Sequence, residues 1–444
     1  MSLKIVNTKY GILSGVQKIG YSVFRGVPYA KPPVGSLRWK KPRPPEPWPG
    51  VRDAKVFASR PIEEGNLPPT FYHKEFFQDE DFLPPISEDC LYLNVWTPAV
   101  EADAKLPVAF WIHGGAFING FSSEMEFDGA AFAGQQVILV TVGHRLGAMG
   151  YLAHPWLSAE QGGRSGNYGL YDLIAALDYV QENIAAFGGD PSRVMVFGQS
   201  AGGRSTQFLI SSKLTRGKIH RAVIQSGGGY HLNLGTANTL AMAEDWGKDF
   251  VERTGAASLE ALRAIPAEDL LKIQMFIFGD AEKSGIRGRP FAPAIDGELL
   301  DNDPDSLLER GAHLDIPYML GCTANDLGNP PEHPKEPGTK PLFYKATVDY
   351  SILNESLGRK PAYIYYFTRR LLGDDAGAFH SAELWYVFGT LSRSWRPKTP
   401  EDYALSEMMV EYWCNFAKQG DPNGGKLPQW APCTRANPFV KVFE

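Results

Sequence analysis

The chain has 444 residues, 43% of them hydrophobic, and a net charge of −6; it is long enough for a large core and lacks the basic runs that nucleic-acid binding requires. No stretch approaches the ~20 apolar residues that span a bilayer, and the start, Met1-Ser2-Leu3-Lys4-Ile5-Val6, lacks a signal-peptide apolar core, so a soluble, cytoplasmic protein is expected. The cysteines, Cys90, Cys322, Cys414 and Cys433, show no C-x-x-C spacing; no zinc or redox motif is expected and reduced thiols are, with a pair among the last three left open.

In chain order, the first 60 residues read as short strands and turns punctuated at Tyr10-Gly11 and Ile19-Gly20, with 25–50 rich in Pro and Gly and irregular. Residues 61–87 read as a long loop carrying prolines, acidic residues and the aromatics Phe71, Tyr72, Phe76, Phe77 and Phe82; it could roof a site or pack on the surface. Apolar runs at 108–112, 137–142, 193–197, 222–225, 317–320 and 363–367 alternate with helical patterns. That pattern predicts an α/β fold with a mostly parallel central sheet flanked by helices, as one large domain over 1–444 with insertions around the site. The helices include Tyr168 to Ala186, with Leu170, Leu173, Ile174, Leu177 and Val180 on one face. Others fall in 239–275, broken at Gly255 and Pro266, and in Tyr403 to Gln419; 326–341 is loop.

Two segments carry chemistry. Gly198-Gln199-Ser200-Ala201-Gly202 follows the run Arg193–Phe197 and precedes a helix-compatible stretch. Strand, G-x-S-x-G, helix is the nucleophile-elbow order, in which flanking glycines permit a sharp turn that lifts the serine hydroxyl. His113-Gly114-Gly115-Ala116-Phe117 follows the run Val108–Ile112, and two glycines after a buried strand can turn backbone N–H groups toward a developing oxyanion. Gly114, Gly115 and the N–H of Ala201 are therefore the expected oxyanion hole.

Ser200 needs a base, and the base an orienting acid, in the chain order Ser, acid, His. Of the downstream histidines, His333 sits in a Pro-rich loop and His313 at the wrong end of a strand, whereas His380 follows the strand 363–367 and a loop. Ligand chemistry in open α/β sheets gathers at such strand ends, so His380 is the expected base. Asp326, beyond the strand around Tyr318–Leu320, is the expected acid.

These segments, with Phe24–Ala30, Pro32–Gly35 and Ser87–Val95, resemble the type-B carboxylesterases over nearly the full length; that family includes para-nitrobenzyl esterases and cholinesterases. The resemblance implies an α/β-hydrolase fold and scaffold ion pairs Arg38–Glu88 and Arg145–Asp172. It also implies a supporting serine in Gln225-Ser226-Gly227. The chain departs from the family pattern in three places. Gln199 stands where Glu is usual, Asn325-Asp326-Leu327-Gly328 stands where Asp-Glu-Gly is usual, and Cys90 lacks its upstream disulfide partner. The expected activity is hydrolysis of neutral carboxylic esters through an acyl-enzyme, with no metal or organic cofactor and a small-molecule substrate. Phe117, Gln199 and Trp385 are the expected substrate-binding residues, while Tyr386 and Val387 read as core. The alternatives are an aryl-ester or feruloyl esterase and, further off, a silent binding or adhesion relative. Oligomeric state is left open.

Overall fold

The computed structural model describes residues 2–65, 70–232, 237–327 and 340–444. The expected loop at 326–341, with Gly328 and His333, lies mostly outside them.

A ten-stranded sheet organises the chain. Its spatial order is Val16–Lys18, Tyr21–Pro28, Tyr92–Thr97, Ile138–Val142, Leu106–Ile112, Gly189–Gln199, Arg221–Gln225, Tyr318–Thr323, Tyr363–Phe367 and Lys441–Phe443. The seven strands from Ile138–Val142 onward in that order pair in parallel, and the first three form an antiparallel edge joined to them. The expected turns at Tyr10 and Ile19 close the hairpins Ile5–Thr8/Gly11–Ser14 and Val16–Lys18/Tyr21–Pro28. The latter strand reaches into the segment read as irregular.

Alternation along each parallel strand builds two cores. Val108, Phe110 and Ile112 face one side, Ala109 and Trp111 the other; Val194 and Val196 oppose Met195 and Phe197 in the same way. Because both faces are covered, the strands read as unbroken apolar runs rather than as alternation. The helix Tyr168–Asn183 covers the first face with Leu170, Leu173, Ile174, Leu177 and Val180, all buried. It ends earlier than expected, in the 3-10 turn Ile184–Phe187. The helix Pro400–Gln419 covers the second face with Leu405, Met409, Val410 and Trp413.

Buried ion pairs fix the loops around this frame. Arg145 is bidentate to Asp172 at 2.8 and 2.7 Å, and Arg38 is bidentate to Glu88 while donating to the carbonyls of Arg263 and Ile265. The segment 61–87 is not plain loop: it holds the helix Phe71–Phe76, capped by Thr70, and the 3-10 turn Glu80–Phe82. All four cysteines are buried and unpaired.

Candidate active site

Five adjacent parallel strands release their chains at one end of the sheet, and each delivers a piece of the site. Ser200 follows Gly189–Gln199 and precedes the helix Ala201–Ser211, with φ 55° and ψ −122°. Two glycines make this sharp turn sterically possible. A Cβ on Gly202 would lie 2.0 Å from the Ile112 carbonyl oxygen, and one on Gly198 would lie 2.4 Å from the Gly202 backbone. The Ser200 N–H donates to the Gln225 carbonyl at 2.8 Å, so the strained residue is tied to the neighbouring strand.

His113-Gly114-Gly115 leaves the strand Leu106–Ile112 beside the elbow. A Cβ on Gly114 would sit 3.3 Å from Ser200 Cβ, and Gly115 (φ +102°) has Asn119 backbone where a Cβ would go. His113 is buried, stacks on His144 at 4.5 Å, and lies 2.9 Å through Nδ1 from the Gly114 carbonyl. Burial pushes it down to about 4, so it is neutral and its Nδ1–H holds that peptide in place. Among the described residues, the N–H groups of Gly114, Gly115 and Ala201 have no acceptor. Ala201 opens a helix, whose first N–H groups have no intrahelical partner.

Asp326 follows the strand Tyr318–Thr323 and is fully saturated. Oδ1 meets His380 Nδ1 at 2.5 Å and accepts from Leu327 N–H at 2.8 Å. Oδ2 accepts from Ser226 Oγ at 2.6 Å and Thr323 N–H at 3.1 Å. Asn325 joins this loop to the histidine loop by exchanging two 2.9 Å hydrogen bonds with Ala378. Burial alone would lower the His380 pKa; the Asp326 charge and hydrogen bond outweigh it, Glu383 adds to them, and the net shift is upward. Glu383 is itself buried and pushed up to about 7, by burial and then by Asp326.

Ser200 Oγ and His380 face the same cavity but are not hydrogen-bonded to each other. His380 Nε2 is instead met by the Gln199 side-chain amide at 3.2 Å. With Nδ1–H given to Asp326, Nε2 is the acceptor and the amide the donor. Gln199 thus touches the imidazole directly, a contact that its expected place among the substrate-binding residues did not foresee.

Two cavities meet at Ser200. The larger, ≈ 270 Å³, contains His380, Gln199, Gly114, Gly115 and, on the roof, Tyr72, Phe76 and Phe77. The smaller, ≈ 170 Å³, contains Phe117, Ala201, Phe208 and Phe343. Of the three residues expected to bind substrate, Gln199 lines the larger cavity and Phe117 the smaller, whereas Trp385 lines neither. It is fully buried, stacked at 5.3 Å on the far side of Phe76, and its helical neighbour Leu384 faces the cavity instead. Tyr386 and Val387 are core. The roof helix is pinned by Arg396, wholly buried, whose guanidinium holds Glu75 at 2.6 Å and Asp374 at 2.7 Å. Two acidic residues of the cavity wall, Glu124 and Glu126, were not foreseen; in the sequence they are a pair of carboxylates flanking Met125, with Ser123 before and Asp128 after them. Among the described residues no group of His, Cys, Asp and Glu is arranged to hold a metal ion, and no helix is long and apolar enough to cross a membrane.

A mixed, mostly parallel sheet with its chemistry at the carboxyl ends of successive strands is the α/β-hydrolase fold. The chain belongs to the carboxylesterase family, whose model matches residues 2–333 and 339–442. It is 35% identical to the para-nitrobenzyl esterase of Bacillus subtilis (strain 168), over 95% of this chain and 91% of that protein. It is 32% identical to carboxylesterase 4A of Bos taurus, over 99% and 91%. A thermophilic para-nitrobenzyl esterase of known structure superposes with a TM-score of 0.85 at 31% identity, covering 99% of this chain and 96% of that one. The chain is a carboxylic ester hydrolase.

Proposed function

We propose that Ser200 attacks neutral carboxylic esters to form an acyl-enzyme, with His380 as base and Asp326 as its orienting acid. The observation that carries this reading is the Asp326–His380 pair opening onto the cavity that holds the elbow serine. Asp326 fixes the Nδ1–H tautomer, leaving Nε2 free of a proton and able to take one from Ser200. For that transfer Ser200 Oγ replaces the Gln199 amide at Nε2. The unpartnered N–H groups of Gly114, Gly115 and Ala201 receive the oxyanion; losing one such donor typically costs ~2.7–4 kcal/mol of transition-state stabilisation.

The fork in the site supports one placement of the two halves of the ester. His380 must return its proton to the leaving alcohol, and only the larger cavity contains His380, so that cavity takes the alcohol and the smaller one the acyl group. The aromatic roof of Tyr72, Phe76 and Phe77 supports aryl esters as a second reading. The four buried, unpaired thiols support a reducing, intracellular setting. Ser200→Ala tests the mechanism: turnover of para-nitrophenyl acetate and labelling by an organophosphate probe are both lost while the fold is kept. Retention of most activity would overturn it.

A further inference from the structure

The smaller cavity at Ser200 holds two cations that the chemistry of the triad leaves unused: Arg204 and Arg289 both line it. No Asp, Glu or Lys stands among its described lining residues, and no Arg or Lys lines the larger cavity. A guanidinium keeps its charge at any working pH, so this difference between the two cavities does not depend on protonation. Arg204 lies one turn into the helix that follows Ser200. Its guanidinium stacks on Phe208 at 5.1 Å and reaches Gln207 Oε1 at 3.4 Å. Asp305 and Asp303 act on it electrostatically without entering the lining.

Arg289 is held by its backbone. The buried Asn238 side chain accepts from the Arg289 N–H at 3.0 Å and donates to its carbonyl at 2.7 Å. Asn238 belongs to the two-stranded ladder Asn238–Thr239/Ala294–Ile295, which the buried Asn167 anchors through Ala294 at 2.7 and 2.8 Å. The side chain therefore leaves the main chain at a fixed point. The residue is exposed, and its guanidinium makes no hydrogen bond, ion pair or ring contact among the described residues. A residue that both lines a cavity and meets solvent stands at the cavity's mouth. A cation fixed there with its donors open is arranged to receive an anion, at little cost in ordering.

We propose that Arg289, with Arg204 adding positive charge, is a specificity-determining residue that receives a carboxylate at the far end of the acyl group, so that monoesters of short dicarboxylic acids are substrates. The inference rests on the reading that the smaller cavity holds the acyl group. It adds to the neutral esters a class whose acyl half is anionic. Phe117, Phe208, Leu232 and Phe343 supply apolar wall for the methylenes between the two carboxyls, and the ≈ 170 Å³ of space keeps that chain short. A carboxylate carried on the alcohol half would enter the larger cavity, where it meets Glu124 and Glu126 and no Arg or Lys.

The test compares kcat/KM for monobutyl glutarate and butyl 5-methylhexanoate, in which an isopropyl group replaces the carboxylate, at low ionic strength. It is run on the unmodified enzyme, Arg289→Gln and Arg289→Lys, and ratios are read within each protein so that a general loss of activity cancels. A second pair, 4-butanoyloxybutanoate and 4-methylpentyl butyrate, places the same carboxylate and isopropyl group on the alcohol half. The unmodified enzyme should prefer the glutarate monoester by about ten-fold, the worth of a hydrogen bond to a charged group. The preference should shrink as salt rises, fall to about one in Arg289→Gln and survive in part in Arg289→Lys. The second pair should give a ratio at or below one. A glutarate ratio near one in the unmodified enzyme, or one untouched by Arg289→Gln, overturns the proposal. An equal preference for the carboxylate on the alcohol half overturns it as well. Failure to hydrolyse even the neutral esters would instead strike the esterase mechanism, and this assignment with it.

Discussion

Asp326→Asn is a sharp perturbation because both carboxylate oxygens face a backbone N–H. Oδ1 accepts from Leu327 and Oδ2 from Thr323, so an asparagine amide sets its NH2 against a donor whichever way it turns. With NH2 in the Oδ2 place, Ser226 can rotate its hydroxyl to accept, but Thr323 N–H is orphaned, at about 1–3 kcal/mol of stability. With NH2 in the Oδ1 place, Leu327 N–H is orphaned and His380 must accept at Nδ1. Its proton then moves to Nε2, where a base must have none. The wrong tautomer costs about 10⁴ in kcat, roughly 5.5 kcal/mol, and KM should change by no more than a few-fold. A pH profile adds a second reading. Activity requires neutral His380, so it falls as pH drops through a pKa lying above the usual 6.5. Asp326 supplies the main upward pull; without it the lowering effect of burial remains, and the acid limb moves to lower pH. Active-site titration followed by kcat and KM from about pH 5 to 9 measures both effects. More than a tenth of the original kcat with an unmoved acid limb would refute the reasoning. Asp296 cannot take over the role: its Oδ1 already accepts the N–H groups of Glu298, Leu299 and Leu300.

Ser226→Ala removes a 2.6 Å donor from the same carboxylate and should lower kcat by about ten-fold at nearly constant KM, since hydrogen bonds to charged groups are worth ~1.5–3 kcal/mol; single-turnover kinetics would show the loss in the chemical step. Gln199→Glu places a carboxylate at His380 Nε2, so the imidazole pKa rises and the acid limb moves to higher pH. It should also raise kcat/KM for choline butyrate relative to its neutral isostere by about five-fold at low salt, shrinking as salt screens the charge; an unmodified enzyme that already favours choline butyrate would contradict this. Arg396→Met strands Glu75 and should cost about 3–5 kcal/mol. At ~2.1 cal/mol/K per residue the unfolding entropy is about 0.9 kcal/mol/K, so a calorimetric Tm lower by about 3–5 °C is expected, with a raised KM from the loosened roof.

What the sequence disclosed about this site followed from the sheet. Gly114, Ser200, Ser226 and Asp326 each lie just beyond the carboxyl end of a strand and His380 in the loop that follows Tyr363–Phe367, and the strands are continuous apolar runs because helices cover both faces. The runs, with the motifs and the chain order at their ends, pointed to Gly114, Ser200, Asp326 and His380, and the family resemblance to Ser226. The direction of a side chain was not available in the same way. Trp385 lies five positions after His380 and reads as a wall of the site, but in the turn Leu384–Val387 neighbouring side chains diverge by about 100°; Leu384 meets the cavity and Trp385 enters the core. The short helix Phe71–Phe76 was hidden for another reason. A six-residue helix has little stability of its own, and this one is held by an arginine 321 positions away. Electrostatics were the least legible of all. Glu124 and Glu126 carry no sign of their surroundings in the sequence, yet burial raises both above the usual carboxylate range. The pocket's charge therefore cannot be counted from its residues. Gln199 stands where one carboxylate is usual, two others line the same cavity, and burial raises both of them above the usual carboxylate range.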